Sequence, residues 1–207
     1  QACMQTSITH LFSQVKSLSC THDGLLSGRL GLILYFCSLY KMGDLAGKEK
    51  ALQLFFELLE DINNEKSTLE NYTFSAGLAG FAFTACLMKE EGILNEDLTE
   101  LLEDLDGLLF QCAQKEMRIG KVDFLHQSVG ILHYFSYRLD DPKVWEYTRQ
   151  LLQEFIALGT QDETGFRHYN VFSRPEKRMV DTGLAHGITG WSLVLCKLYE
   201  RGMMCDE

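Results

Sequence analysis

The sequence predicts an all-α fold in which helical hairpins repeat about every fifty residues. The first observation is a pair of positions, three residues apart and both glycine in three of the four copies, that opens an apolar helix at four places in the chain. The second residues of these pairs are Gly31, Gly80, Gly130 and Gly190, so the steps are 49, 50 and 60 residues. The second observation is that an amphipathic segment separates each apolar helix from the next. Both features are typical of a stacked array of helical hairpins.

The first quarter of the chain already shows this alternation. Residues 6–18 carry apolar side chains at a spacing of three and four, which predicts a one-sided helix. Residues 28–42 are apolar nearly all round and end at Gly43-Asp44, so this helix is expected to be buried on most sides. Residues 48–62 are amphipathic again.

The same alternation continues to the end of the chain. Pro142 suits the first turn of one amphipathic helix, because proline lacks the amide hydrogen that a first turn leaves unused. Counting the whole chain gives eight predicted helices, alternately outer and inner, with little that indicates a regular sheet. The remaining apolar segments are 77–88, 129–139 and 187–199, and the remaining amphipathic ones are 98–117 and 141–158.

Two concentric layers follow from this alternation. The apolar helices form an inner layer, and one outer helix returns the chain between each pair, so all inner helices run in the same direction. Their N-termini therefore meet at one end, where unpaired amides and aligned peptide dipoles favour a thiolate, an enolate or a carboxylate. We interpret residues 1–207 as one partial domain with inner helices that start near residues 28, 77, 127 and 187.

Composition excludes several classes of partner. The net charge of −10 argues against nucleic acid and against anionic membrane surfaces as partners.

Seven cysteines without any CxxC spacing fit a reduced, cytoplasmic protein. The longest apolar runs are too short to span a bilayer. The chain starts at Gln1 and stops soon after its fourth apolar helix, so we expect it to be part of a longer protein.

One connection is much longer than the others. It covers residues 159–182 and comes just before His186. Loops of this length in compact domains are usually functional or disordered. We therefore predict that Arg167, His168 and Tyr169 contact substrate.

The repeats resemble those of the lanthionine synthetase C-like (LanC-like) family. Residues 183–190, Gly-Leu-Ala-His-Gly-Ile-Thr-Gly, are similar to the family's most recognisable motif in its N-terminal half, and the glycine pairs at 28 and 31 and at 77 and 80 are similar to earlier copies. The resemblance implies an α/α toroid. It covers about four of the family's seven hairpins, which implies an incomplete ring.

The resemblance also implies a chemistry. In the family, zinc held by two cysteines and a histidine activates a cysteine thiol, which adds to dehydroalanine or dehydrobutyrine in a peptide and forms a thioether ring. His186 matches the motif histidine that is implicated in proton transfer, and Asp123 matches the second acid–base candidate. The family's zinc ligands belong to later repeats, so we predict no metal site in this chain and zinc in the complete protein. The expected partner is a peptide substrate or a thiol-containing small molecule.

Simpler interpretations stand beside these. His186 could be a polar residue at a helix start, and Asp123 could be a helix cap. His126 and His133 are interpreted as satisfied core histidines. Gln127 replaces the first glycine of the third copy, so close packing there must loosen or be met differently. The remaining pair residues are interpreted as structural glycines: Gly28, Gly31, Gly77, Gly80, Gly130, Gly187 and Gly190.

Three functions remain open. The first is the N-terminal part of a zinc-dependent thiol-addition enzyme, and the second is a metal-free binding or scaffold module. The third, an enzyme acting on glycans, is weakest because that chemistry usually needs paired carboxylates and the repeat openings supply only Asp123. An open edge at the fourth inner helix predicts self-association.

Overall fold

The computed structural model describes residues 13–69, 71–163, 165–167 and 181–203. The helix predicted for residues 6–18 lies mostly outside these ranges, although residues 13–16 are helical. In chain order the described elements are α1 Arg29–Lys41, α2 Leu45–Asn63, α3 Leu78–Glu90, α4 Thr99–Arg118, α5 Ser128–Phe135, α6 Pro142–Ala157, β1 Thr160–Asp162, β2 Gly165–Arg167 and α7 Ile188–Glu200.

The two-layer arrangement of helices is confirmed. The inner helices α1, α3, α5 and α7 pack one against the next, and α2, α4 and α6 pack on their outer side. Every residue of α5 is buried, because this helix has neighbours on all sides. The ring of Phe55 on α2 stacks on that of Phe81 on α3 at 5.5 Å, which shows how the outer layer meets the inner one. None of the helices in the described ranges is long and apolar enough to cross a membrane.

Two local features differ from the sequence prediction. Helix α5 ends at Phe135 rather than near residue 139, because the amides of Tyr137 and Arg138 each bond a carbonyl three residues back and tighten the last turn. Asp141 then caps α6 by accepting from the amide of Lys143 at 2.8 Å. The long connection also contains a short antiparallel hairpin of β1 and β2, which the helical pattern did not indicate.

The turns before the four inner helices form a hydrogen-bonded row. The amide of Leu25 donates to the carbonyl of Ser75 at 2.8 Å, Ser75 donates to Leu125 at 2.9 Å, and Leu125 donates to Ala185 at 3.3 Å. We call this row, residues 22–28, 71–77, 121–127 and 181–187, the turn ladder. It holds the N-termini of all four inner helices at one end of the molecule.

Backbone proximity explains the glycines of the turn ladder. In each copy the second glycine faces the carbonyl oxygen of the residue six positions earlier, and a Cβ there would overlap that oxygen. Gly28, Gly77 and Gly187, the first glycines, are equally close to the carbonyl six positions before them. Any side chain at these positions would push the turn away from its own helix. The second glycines are Gly31, Gly80, Gly130 and Gly190.

Candidate functional site

The turn ladder brings Asp123 and His186 together although 63 residues separate them. Nδ1 of His186 lies 2.5 Å from Oδ2 of Asp123. The side chain of Asp123 is fully buried, whereas that of His186 is 35% exposed. The pair is therefore a buried carboxylate that holds an imidazole reaching the protein surface.

Two hydrogen bonds fix Asp123, and a third holds the residue before it. Its amide donates to Oε1 of Gln127 at 3.0 Å, and its Oδ1 accepts from the amide of His126 at 2.7 Å. The indole of Trp191, on α7, donates to the carbonyl of Val122 at 2.6 Å and so ties the third turn to the fourth inner helix. The close packing that a glycine provides in the other copies is met differently here, because the Gln127 side chain holds the backbone of Asp123.

The turn that carries His186 is organised by Asp181. The amide of Gly183 donates to Oδ1 of Asp181 at 2.7 Å, and the amide of Ile188, the first residue of α7, donates to the Asp181 carbonyl at 2.8 Å. These bonds close the turn over a few residues. His186 consequently stands at the start of α7 with little backbone freedom.

This arrangement can move protons. A carboxylate against Nδ1 favours the tautomer that carries its hydrogen there, so a proton exchanged with a bound molecule would be exchanged at Nε2. The same carboxylate stabilises the imidazolium that forms when Nε2 takes up a proton. The geometry is that of a general acid–base pair.

His126 belongs to the same site, which corrects the interpretation of it as a core histidine. It is only half-buried, its ring stacks on that of His186 with centroids 5.5 Å apart, and its Nδ1 lies 2.9 Å from Oγ of Ser75. The repeat register carried the missing signal. His126 and His186 both stand four residues before the second glycine of their copies, so adjacent turns place them side by side.

His133 is the core histidine that the sequence indicated, but one of its nitrogens is not satisfied. Its ring packs among those of Phe74, Phe83 and Phe124, and its buried Nδ1 has no hydrogen-bond partner in the part of the chain that the structure describes. Burial lowers its pKa from 6.5 to about 4, and the nearby charges of Lys197 and Arg201 add to this effect.

The side chains of Asp123, His126 and His186 would hold a metal ion through oxygen and nitrogen atoms. Asp123, His126 and His186 each offer one ligand atom within 4.8 Å of the other two, and this cluster contains no cysteine. In the part of the chain that the structure describes, no other group of three or more His, Cys, Asp or Glu side chains lies close enough together to hold a metal ion. A site of two cysteines and one histidine therefore does not fit the described residues.

The predicted substrate contacts lie in or beyond β2. Arg167 is the last residue of that strand, and its side chain lies outside what the structure describes. His168 and Tyr169 lie outside the described residues altogether. Their role stays a prediction.

Comparison with known proteins bears on both the family and the fold. The model of a family described as lanthionine synthetase C-like protein matches residues 19–205. A solved structure titled nisin cyclase superposes with a TM-score of 0.67 at 16% identity, covering 98% of this chain and 53% of that chain. A search of curated protein sequences gave no match. The predicted α/α toroid is thus confirmed, and the chain spans about half the length of nisin cyclase.

Proposed function

The chain belongs to the lanthionine synthetase C-like family, and on that premise we propose that it supplies the acid–base groups of a thiol-addition site. In the proposed reaction a cysteine thiol adds to a dehydroalanine or dehydrobutyrine of a peptide and closes a thioether ring. The observation that carries this proposal is the contact of Asp123 with His186 in the turn ladder. The domain is then the first part of a toroid, and the remaining repeats complete the ring.

The reaction needs proton transfer at two atoms. The thiol sulfur loses a proton, the sulfur forms a bond to Cβ, the π electrons of the C=C bond move to Cα, and Cα gains a proton. His186 accepts the thiol proton at Nε2, and Asp123 stabilises the resulting imidazolium. Negative charge that develops on sulfur or on the enolate lies near the helix N-termini of the turn ladder, which favour it.

Zinc is expected in the complete protein, where it would activate the thiol. Its two cysteines and histidine would come from other repeats, because the described residues do not form such a set. The proposal therefore assigns only proton transfer to this chain. We place the activity in the cytoplasm, where a substrate thiol stays reduced.

A peptide with one cysteine and one dehydroalanine tests this proposal. Ring closure leaves the mass unchanged but removes the free thiol, so loss of reaction with N-ethylmaleimide reports the product. We expect the full-length polypeptide to consume the thiol faster than the uncatalysed peptide does. Binding of the peptide without thiol consumption would instead support the metal-free scaffold module and reject the cyclase.

An exposed face of the inner helix α7 is the proposed surface for self-association. Ile188, Leu195 and Tyr199 are 44%, 39% and 70% exposed, and their spacing places them on one side of the helix. In a repeat array the next repeat covers such a face, so we propose that a second copy covers it in the isolated 207-residue chain.

Light scattering tests this surface. Leu195→Glu combined with Tyr199→Glu is expected to give a monomer, while Leu108→Glu, at an equally apolar and exposed position on the outer helix α4, is expected to leave association intact. A wild-type chain that stays strictly monomeric at high concentration would contradict the proposal.

A further inference from the structure

The third and fourth copies of the repeat differ from the first two at one position of the turn ladder. Four residues before the second glycine, the first two copies have Ser27 and Ala76, whereas the next two have His126 and His186. The amide of Leu125, next to His126, donates to the carbonyl of Ala185, next to His186. The two imidazoles therefore lie on adjacent turns of the turn ladder. A second imidazole therefore stands where the proposed reaction takes place.

The two rings are held at a defined distance. Their planes are inclined by 25° and their centroids are 5.5 Å apart. Asp123 touches both residues, since Oδ2 meets Nδ1 of His186 and Oδ1 accepts from the backbone amide of His126. Asp123 thus holds the ring of His186 directly and the backbone of His126 through its amide.

The partners of the two rings differ in charge, and this difference assigns their roles. His186 has a carboxylate on Nδ1, which orients the ring so that Nε2 is the atom that accepts the thiol proton. His126 has a neutral hydroxyl, Oγ of the buried Ser75, on Nδ1. A hydroxyl can accept the Nδ1 hydrogen and so orients an imidazolium to donate from Nε2.

We propose that His126 is the general acid that protonates Cα, a role that rests on the proposed function. His186 takes the proton from sulfur, the C–S bond forms, and the electron pair of the C=C bond moves to Cα. His126 then donates its Nε2 hydrogen to Cα and becomes neutral. His186 has gained one proton and His126 has lost one, so transfer of a proton from His186 to His126, directly or through water, restores both.

A general acid at a fixed position also determines the configuration of the product. Cα becomes a stereocentre when it is protonated, and a donor held on one side delivers the proton to one face. Bulk water reaches both faces. A purely structural His126 would affect stability or overall rate but would leave the configuration at Cα unchanged.

The test uses His126→Asn in the full-length polypeptide with the peptide of one cysteine and one dehydroalanine. We expect thiol consumption to fall by about 100-fold, the usual scale for a general acid. We also expect the product, hydrolysed and separated on a chiral column, to change from one configuration at Cα to a mixture. His22→Asn, at an exposed histidine of the first turn, is the matched control and is expected to retain the wild-type rate and configuration.

The outcomes separate the two proposals. A wild-type protein that consumes no thiol rejects the proposed function and the role of His126 with it. An active wild type whose His126→Asn variant still gives one configuration, at any rate, rejects the role of His126 alone. Ser75→Ala keeps the test decisive if His126→Asn does not fold, because loss of the orienting hydroxyl should lower the rate and mix the configuration to a smaller extent. An unchanged Ser75→Ala product would overturn the inference.

Discussion

Two buried aspartates show why burial of a charge does not by itself mark a functional site. Asp106 on α4 and Asp123 in the turn ladder are 1% and 0% exposed. Asp106 accepts from the hydroxyl of Tyr134 at 2.5 Å and pairs with Arg138 at 2.8 Å. Asp123 instead meets an imidazole that is partly exposed. The first carboxylate joins an outer helix to the end of an inner one, and the second holds an imidazole that reaches the surface.

The pKa of Asp106 shows the cost of its position. Burial raises the pKa of this carboxyl, and the bonds from Tyr134 and Arg138 only partly oppose the increase. We therefore expect the fold to lose stability when Asp106 or either of its two hydrogen-bond partners is removed. The comparison therefore predicts that substitutions at Asp106 affect stability, whereas substitutions at Asp123 and His186 affect turnover.

The largest effect is expected for Asp106→Ala. It leaves the guanidinium of Arg138 and the hydroxyl of Tyr134 without their acceptor in a buried region, which costs about 3–5 kcal/mol of unfolding free energy. Urea denaturation measures this loss. Asp140→Ala, at an exposed aspartate nearby, is the control and is expected to change stability by less than about 0.5 kcal/mol. Equal stabilities of the two variants would contradict the assignment.

The next effect concerns His133 and pH. Because burial lowers its pKa from 6.5 to about 4, the unfolded chain binds more protons than the folded one between these values. Its contribution to stability is complete above pH 6.5 and is lost as pH falls toward 4. The total loss is about 3 kcal/mol.

Comparison with His133→Leu isolates this contribution. The unfolding free energy of the wild type is expected to fall by about 3 kcal/mol more than that of the variant between pH 7.5 and 4. Denaturation series at several pH values measure the difference. Parallel curves for the two proteins would show that His133 is not held neutral in the core.

His186→Ala in the full-length polypeptide is expected to lower turnover by about 100-fold, which corresponds to about 2.7 kcal/mol of transition-state stabilisation. Asp123→Asn should act in the same direction but more weakly, because Asp123 acts through His186. Thiol consumption and melting temperature are measured on the same samples. If the variants lose stability but keep full activity per folded molecule, then Asp123 and His186 have a structural role, as Asp106 does.

The sequence predicted those features that depend on local pattern. The glycine pairs placed the starts of α1, α3, α5 and α7 within one residue, because the backbone contact that requires each glycine lies within its own turn. The apolar and amphipathic segments likewise distinguished the inner from the outer layer.

Features that depend on contacts between copies could not be predicted in the same way. His126 was interpreted as a core residue. Its actual contacts, to Ser75 and His186, join one turn of the turn ladder to the next, and the local sequence around His126 does not reveal them. The role of Gln127 depends on where its amide reaches, which residue type alone does not reveal. The early end of α5 results from backbone bonds three residues back, and no glycine or proline marks it.

The smallest expected effect is a change in stability caused by replacing glycine with alanine. We expect this change to differ between an outer helix and the turn ladder. Gly107 lies in the middle of α4, and a Cβ there would meet no atom within 4 Å. Gly107→Ala is therefore expected to stabilise the protein by about 0.5–1 kcal/mol, because alanine restricts the unfolded chain and favours a helix. Thermal and urea denaturation measure the gain.

Gly130→Ala is the matched substitution in the turn ladder. Its Cβ would overlap the carbonyl of Phe124 and the Cβ of Phe74, so the turn that carries Asp123 would have to move. The same chemical change is thus expected to stabilise the outer helix and to destabilise the turn by more than it stabilises the helix. Because the displaced turn also carries the carboxylate, turnover of Gly130→Ala should fall even at temperatures where the variant stays folded. Gly107→Ala should keep wild-type turnover. A Gly130→Ala protein as stable and as active as Gly107→Ala would show that backbone contact in the turn ladder does not determine the position of Asp123.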